Sequence, residues 1–425
     1  MVPMRLYILL LFGVLLVQAI RYGDLVKDYM IIDENYHFYD EIEMSNKSKD
    51  EDDGLTMIEL VQKRGYTINT HYVTTEDGYI LTIFNIPDGK TEGKTEGKTN
   101  KKPVVLLQHG LFDSSYTWIN NYETQSLGYI LADQGYDVWL GNNRGNTYGR
   151  NHTTLDPDKD NEFWEFTYDE MGSQDLPAMI DYIVNTTSVQ SLSYVGHSEG
   201  TIQVFASGSD NIKQTKLINL FIALAPVAYV EHVRSPEVVV LARANMAKTL
   251  INRGHLEFFP NPREDHVLAS DFCYHGEQLC NFMLETFCGP TKNMNKTRLQ
   301  VYVSETPAGT STYNLDHWVQ GIINGTFAHY DYGSDEANLQ VYGTTSPPRY
   351  DLSKFSIKTA LFTGSNDILA DPMDVERLVD ELTPDTVVYR NNQEDFNHLD
   401  FVWSPVAAER IYRDKVLPLL KQYNV

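Results

Sequence analysis

The chain of 425 residues is long enough for one large domain with an insertion, or for two domains. Hydrophobic residues at 42% and charged ones at 22% are ordinary for a globular protein. A formal net charge of −24, with no basic stripe, argues against nucleic acid as a partner and gives no attraction to anionic membranes, so any lipid contact must come from apolar surface.

The N-terminus reads as a secretory signal over residues 1–19. Met1 to Arg5 supply a basic start, Leu6 to Val17 an apolar run, and Val17-Gln18-Ala19 a small-residue cleavage site. That run is too short to span a bilayer, and no later stretch approaches the ~18 uninterrupted apolar residues of a spanning helix, so no transmembrane segment is expected. Entry into the secretory route makes Asn46, Asn151, Asn185, Asn295 and Asn324 candidate glycosylation sites. It also favours one local disulfide among Cys273, Cys280 and Cys288, with one thiol left over. Neither cysteine gap is Cys-x-x-Cys, so no metal site is expected.

Residues 20–53 are acidic and tyrosine-rich and are expected to form a poorly ordered leader or propeptide. Met57 to Gly65 reads as a short helix closed by glycine, and Thr67 to Ile86 as a hairpin around Glu76-Asp77-Gly78. Gly89 to Thr99 repeats a polar four-residue unit, the mark of a solvated loop insertion. Val104-Val105-Leu106-Leu107 is a continuous apolar run, as in a strand buried on both faces. Leu127 to Gln134 then reads as helix, Tyr136 to Leu140 as strand, Phe166 to Asn185 as helix, and Ser191 to Val195 and Leu217 to Leu224 as strands.

This alternation predicts an α/β fold with a mostly parallel sheet and helices on both faces, its first part at residues 54–226. Between residues 227 and 352 the alternation stops, and a mixed cap rich in aromatics and prolines is expected. It resumes over residues 353–425, with strands at Thr359 to Phe362 and Thr386 to Tyr389 and helices at Pro372 to Glu381 and Pro405 to Gln422.

Gly196-His197-Ser198-Glu199-Gly200 follows an apolar strand and opens a helix, the setting of a nucleophile elbow. A serine nucleophile needs a base and an acid that orients the base, in the chain order Ser, Asp or Glu, His. Of the later histidines, only His398 lies beyond the last predicted strand, and Asp367 lies on the loop directly after Thr359 to Phe362. Asp371, next to Pro372, reads instead as a helix cap. The oxyanion donors are expected to be the backbone N–H groups of Glu199 and of Leu111, in the loop after the first central strand. His109 is expected to support that loop, and His197 to be a packing residue.

Several separate motifs carry a family resemblance: His109-Gly110-Leu111, Tyr136 to Asn142 with Arg144-Gly145-Asn146-Thr147, Gly196 to Thr201, Pro307 to Ser311, and Asn397-His398-Leu399-Asp400. From about Leu55 to the C-terminus the chain resembles the acid lipases, the group of gastric lipase and lysosomal acid lipase. The resemblance implies an α/β-hydrolase fold and a cap with a movable lid over an apolar pocket. It further implies hydrolysis of triacylglycerols or cholesteryl esters at a lipid–water interface, without metal or organic cofactor, by a secreted or lysosomal monomer. It supports the triad Ser198, Asp367 and His398 and the oxyanion donors Leu111 and Glu199.

Rival expectations are a carboxylesterase or thioesterase of other acyl preference, or a lipid carrier on the same fold. Cys273–Cys280 is the favoured bridge, with Cys280–Cys288 the alternative. The family usually carries Gln where this chain has Glu199, and an ionised carboxylate there would oppose the oxyanion. Glu199 is therefore expected to be protonated or ion-paired, or activity to favour acidic pH.

Overall fold

The computed structural model describes residues 49–90, 101–260 and 263–424. The signal segment, Asn46, most of the acidic leader and nearly all of the polar repeat lie outside them.

One eight-stranded sheet organises the chain: β1 (Asn69–Thr74), β2 (Ile80–Ile86), β3 (Val104–Gln108), β4 (Asp137–Leu140), β5 (Leu192–His197), β6 (Ile218–Leu224), β7 (Thr359–Gly364) and β8 (Val387–Gln393). Their spatial order is β1-β2-β4-β3-β5-β6-β7-β8. The hairpin β1–β2 joins β4 antiparallel, and every pairing from β4 to β8 is parallel. Strands β3 and β5 are buried at every residue, as expected where apolar side chains point to both faces of a covered parallel sheet.

In the core, α1 (Met57–Lys63) starts at a reciprocal cap between Thr56 and Glu59. It is followed by α2 (Leu127–Asp133), α3 (Leu176–Thr187) and α4 (Glu199–Ser209). The inserted segment is helical: α5 (Pro236–Arg243), α6 (Met246–Asn252), α7 (Arg263–His275), α8 (Glu277–Cys288), α9 (Thr312–Asn324) and α10 (Asp335–Tyr342). Two short strands, Glu257–Phe258 and Thr310–Ser311, pair antiparallel within it. The chain then returns to the sheet with α11 (Pro372–Glu381) and ends in α12 (Leu417–Tyr423). None of these helices is long and apolar enough to cross a membrane.

Two expected helices are broken in the same way. The stretch Phe166 to Asn185 contains a wider π-type turn at Met171–Asp175 before α3, and Pro405 to Gln422 contains one at Ala408–Val416 before α12. Pro177 and Pro418 are the second residues of the helices that follow. Proline has no N–H for the carbonyl four residues back and its ring collides with it, so the preceding turn opens.

The leader also differs from its expectation at its last residues. Asp52 is buried, 2.7 Å from Lys63 Nζ and 2.9 Å from Arg298 Nη1, and it also pairs with Arg64. Asp50 adds a second carboxylate 3.1 Å from Arg298. Composition predicts a loose acidic tail here, but cations from α1 and from the cap neutralise it in place.

Candidate active site

Strand β5 runs straight into α4, and the turn between them is built around Ser198, whose φ of +52° and ψ of −118° are sterically costly for a residue with a side chain. The neighbouring glycines make the turn feasible. A Cβ on Gly196 would lie 2.6 Å from the Gly200 carbonyl oxygen, and one on Gly200 would lie 2.6 Å from that of Gln108 in β3. Main-chain bonds then hold the turn: Ser198 N–H donates to Leu224 O at 3.1 Å, and Ser198 O accepts from Thr201 N–H at 2.7 Å and from its hydroxyl at 2.6 Å.

Ser198, Asp367 and His398 come together in one hydrogen-bonded line. Ser198 Oγ lies 2.8 Å from His398 Nε2, and His398 Nδ1 lies 2.8 Å from Asp367 Oδ2. Asp367, on the loop leaving β7, is fully buried, and its Oδ1 accepts the N–H groups of Leu369 and Ala370 at 2.9 and 2.8 Å. With its carboxylate so held, the imidazole keeps a proton on Nδ1 and presents Nε2 to the serine. Asp371 caps α11 through Met373 N–H, as the sequence predicts.

His197 does more than pack: its Nε2 donates to the His398 carbonyl oxygen at 2.9 Å, fixing the main chain at His398. Burial first, and then the nearby charge of His398, pushes the His197 pKa down to about 3, so it stays neutral. From the cap, Arg234 donates to the Asp367 carbonyl oxygen at 3.0 Å and to the Asp371 carboxylate at 2.5 Å. These two supports went unseen because their partners lie 201 and 133 residues away.

The β3 loop lies against the nucleophile, for a Cβ on Gly110 would sit 3.0 Å from Ser198 Cβ. Leu111 follows directly. His109 braces this loop, donating through Nδ1 to Gly110 O at 2.8 Å. Its Nε2 accepts from Asn143 N–H at 3.3 Å and from Asn146 Nδ2 at 3.1 Å. Burial pushes its pKa down to about 4, which suits a supporting group. Glu199 is the first residue of α4, where backbone N–H groups have no partner within the helix. The Gly110–Leu111 loop and the first residue of α4 thus both adjoin Ser198.

Residues 57–122 match the family described as a partial alpha/beta-hydrolase lipase region, and residues 103–405 match the alpha/beta hydrolase fold. The gastric triacylglycerol lipase of Homo sapiens is 41% identical over 366 residues, covering 85% of this chain and 90% of that protein. That of Rattus norvegicus is 39% identical over 368 residues, covering 85% and 91%. Lipase member K of Homo sapiens is 38% identical over 374 residues, covering 87% and 91%. The chain belongs to the acid lipase family. It is an ester hydrolase with an α/β-hydrolase core.

Around this acid lipase site the inserted segment closes from several sides. Cys288 O accepts the His398 N–H at 3.2 Å, and the rings of Phe258 and Phe259 lie 5.6 and 5.1 Å from that of Phe112, beside Leu111. Of the other cap aromatics, Trp318 is buried, Phe287 half-buried and Phe282 partly exposed. Ser198 is only 8% exposed.

Glu199 Oε1 accepts from Asn314 Nδ2 at 2.7 Å and from Trp318 Nε1 at 3.0 Å, both on α9. Of the alternatives expected for Glu199, the ion pair is not formed, since its partners are these neutral donors. Cys273 and Cys280 are bonded across the junction of α7 and α8, and Cys288 is a buried free thiol. Among the candidate glycosylation sites, Asn151, Asn185 and Asn324 are exposed and Asn295 is half-buried.

Proposed function

We propose that this protein is a serine lipase of the secretory route, secreted or lysosomal, that hydrolyses long-chain carboxylic esters, triacylglycerols first among them. The observation that carries the reading is the line from Ser198 Oγ through His398 to Asp367, two 2.8 Å contacts at the mouth of a strained elbow. Identity of 39–41% to gastric triacylglycerol lipases supports the choice of substrate.

In this reading Ser198 Oγ attacks the ester carbonyl carbon while His398 Nε2 takes its proton. Asp367 stabilises the resulting imidazolium, and the Leu111 and Glu199 N–H groups bond the oxyanion. The tetrahedral species collapses, the C–O bond to the glycerol oxygen breaks, and His398 returns its proton to that oxygen. Water, deprotonated by His398, then attacks the acyl-Ser198 carbonyl, and collapse frees the fatty acid and restores the serine. No organic cofactor is required by any step.

Residues 227–352 act in this scheme as the cap. With Ser198 8% exposed, an acyl chain reaches it when that cap moves, which exposes apolar surface at a lipid–water interface. The exposed Asn151, Asn185 and Asn324 are the favoured glycosylation positions.

The test is hydrolysis of an emulsified long-chain triacylglycerol by the full chain and by Ser198→Ala. The expected loss is roughly 10⁴-fold or more. Near-full activity in the variant, or rates that fall steadily as the acyl chain lengthens, would overturn the reading.

A further inference from the structure

Glu199 occupies a place where a charge is hard to accommodate. Its side chain is buried 2% exposed, and none of the influences on its titration is a cationic partner. Tyr168, in the segment before α3, packs its ring 5.5 Å from that of Trp318, with His317 of α9 stacked on it at 3.8 Å. The elbow contributes His197 and the loop after β8 contributes His398, and both are engaged elsewhere, with His398 O and with Asp367 and Ser198.

The cap side carries the second observation. Asn314 is fully buried, its Nδ2 donates to Glu199 Oε1 at 2.7 Å, and its Oδ1 is buried with no hydrogen-bond partner. Leaving a buried amide oxygen unsatisfied is costly. An ionised carboxylate has only acceptors to offer it; a carboxylic acid has one O–H donor as well. A primary amide and a neutral carboxylic acid can exchange two hydrogen bonds, N–H to C=O and O–H to C=O. Trp318 Nε1, a donor only, fits beside either form.

We propose that the Glu199 side chain works as a neutral carboxylic acid paired with the Asn314 amide, and that its ionisation shuts the site down. This rests on the reading of Ser198 as nucleophile. The backbone N–H of Glu199 bonds the oxyanion while its side chain, one residue from the nucleophile, decides whether that region carries a negative charge of its own. Burial pushes the carboxyl up to about 7, against the opposing pull of the Asn314 and Trp318 donors. Glu199 is thereby a positioning residue that sets the upper pH limit of hydrolysis and ties the elbow to α9.

The experiment compares kcat/KM against pH for the wild type and Glu199→Gln on a water-soluble ester, so that interfacial binding does not enter. For a single ionisation that abolishes activity, the wild-type rate falls about a hundredfold at two pH units above the midpoint. In Glu199→Gln this alkaline limb is expected to vanish, while the acidic limb stays. Infrared difference spectra of wild type minus Glu199→Gln at acidic pH are expected to show a protonated-carboxyl C=O band that disappears over the same pH range.

The same alkaline limb in both proteins, or no such band, overturns the proposal. Labelling of Ser198 by an organophosphonate at acidic pH separates the two failures. A labelled serine with an unchanged limb refutes only the role of Glu199, whereas an unreactive serine at every pH refutes the nucleophile and the proposal with it.

Discussion

On the sheet side of the site, Ser198 is held by main-chain atoms and by the absence of side chains at Gly196 and Gly200. On the other side, the contacts to Glu199, Asp367 and His398 come from Asn314, Trp318, Arg234 and the Cys288 carbonyl, polar groups of the inserted segment. The first kind of support is steric and fails abruptly; the second is electrostatic and varies with pH and with the position of the cap.

The largest effect is expected from breaking the steric side. In Gly200→Ala the new Cβ would meet the backbone oxygens of Gln108 and His109 at 2.6 and 2.8 Å, and neither can turn away. Helix α4 must shift, at a cost of about 3 kcal/mol in stability. A displacement of the nucleophile by even ~1 Å lowers kcat roughly 100-fold. Chemical denaturation together with the rate on a soluble ester reads both; a variant with normal kcat would show that the elbow tolerates what its geometry forbids.

Next comes the polar latch between leader and cap. Arg298 is fully buried, and Asp52→Ala leaves it with the Asp50 contact at 3.1 Å, the Asn120 carbonyl and the face of the Tyr122 ring at 4.5 Å. Stripping one partner from a buried pair costs about 3 kcal/mol. A midpoint of denaturation within error of the wild type would mean that the pair adds nothing.

The smallest effect is pH-dependent. His329, in the cap segment, lies 3.4 Å from Asp169 and 3.3 Å from Asp210 of the core. Burial alone would lower its pKa, but the two carboxylates prevail and push it up to about 10. A histidine raised in the folded state stabilises fully below its unfolded value of about 6.5, and that contribution is lost as the pH rises through about 10. His329→Gln is therefore expected to lower Tm by about 2 °C in mildly acidic buffer, with the gap closing as the pH is raised through that window. A gap independent of pH would assign the contact to packing.

What the sequence disclosed follows the same division. The strand runs, the elbow glycines and the loops bearing Asp367 and His398 were legible because each is a local pattern with a local cause: alternation, a tight turn, a strand end. The supports were not. Asn314 and Trp318 are 115 and 119 residues from Glu199, and nothing in a string of letters links them. The acidic run before Gly54 misled for a related reason, since its disorder follows from composition only while Arg298, 246 residues away, is ignored. The π-type turns were within reach, because Pro177 and Pro418 stand inside the stretches predicted as unbroken helix. Glu199 stands out in the sequence as a departure from the usual Gln, but an amide and an indole, rather than a cation, are what receive it.

The latch at Asp50 and Asp52 also sets a limit on truncation. A chain shortened past Asp52 strands the Arg298 guanidinium in the interior, so the fold depends on a stretch of chain that precedes its first helix and its sheet.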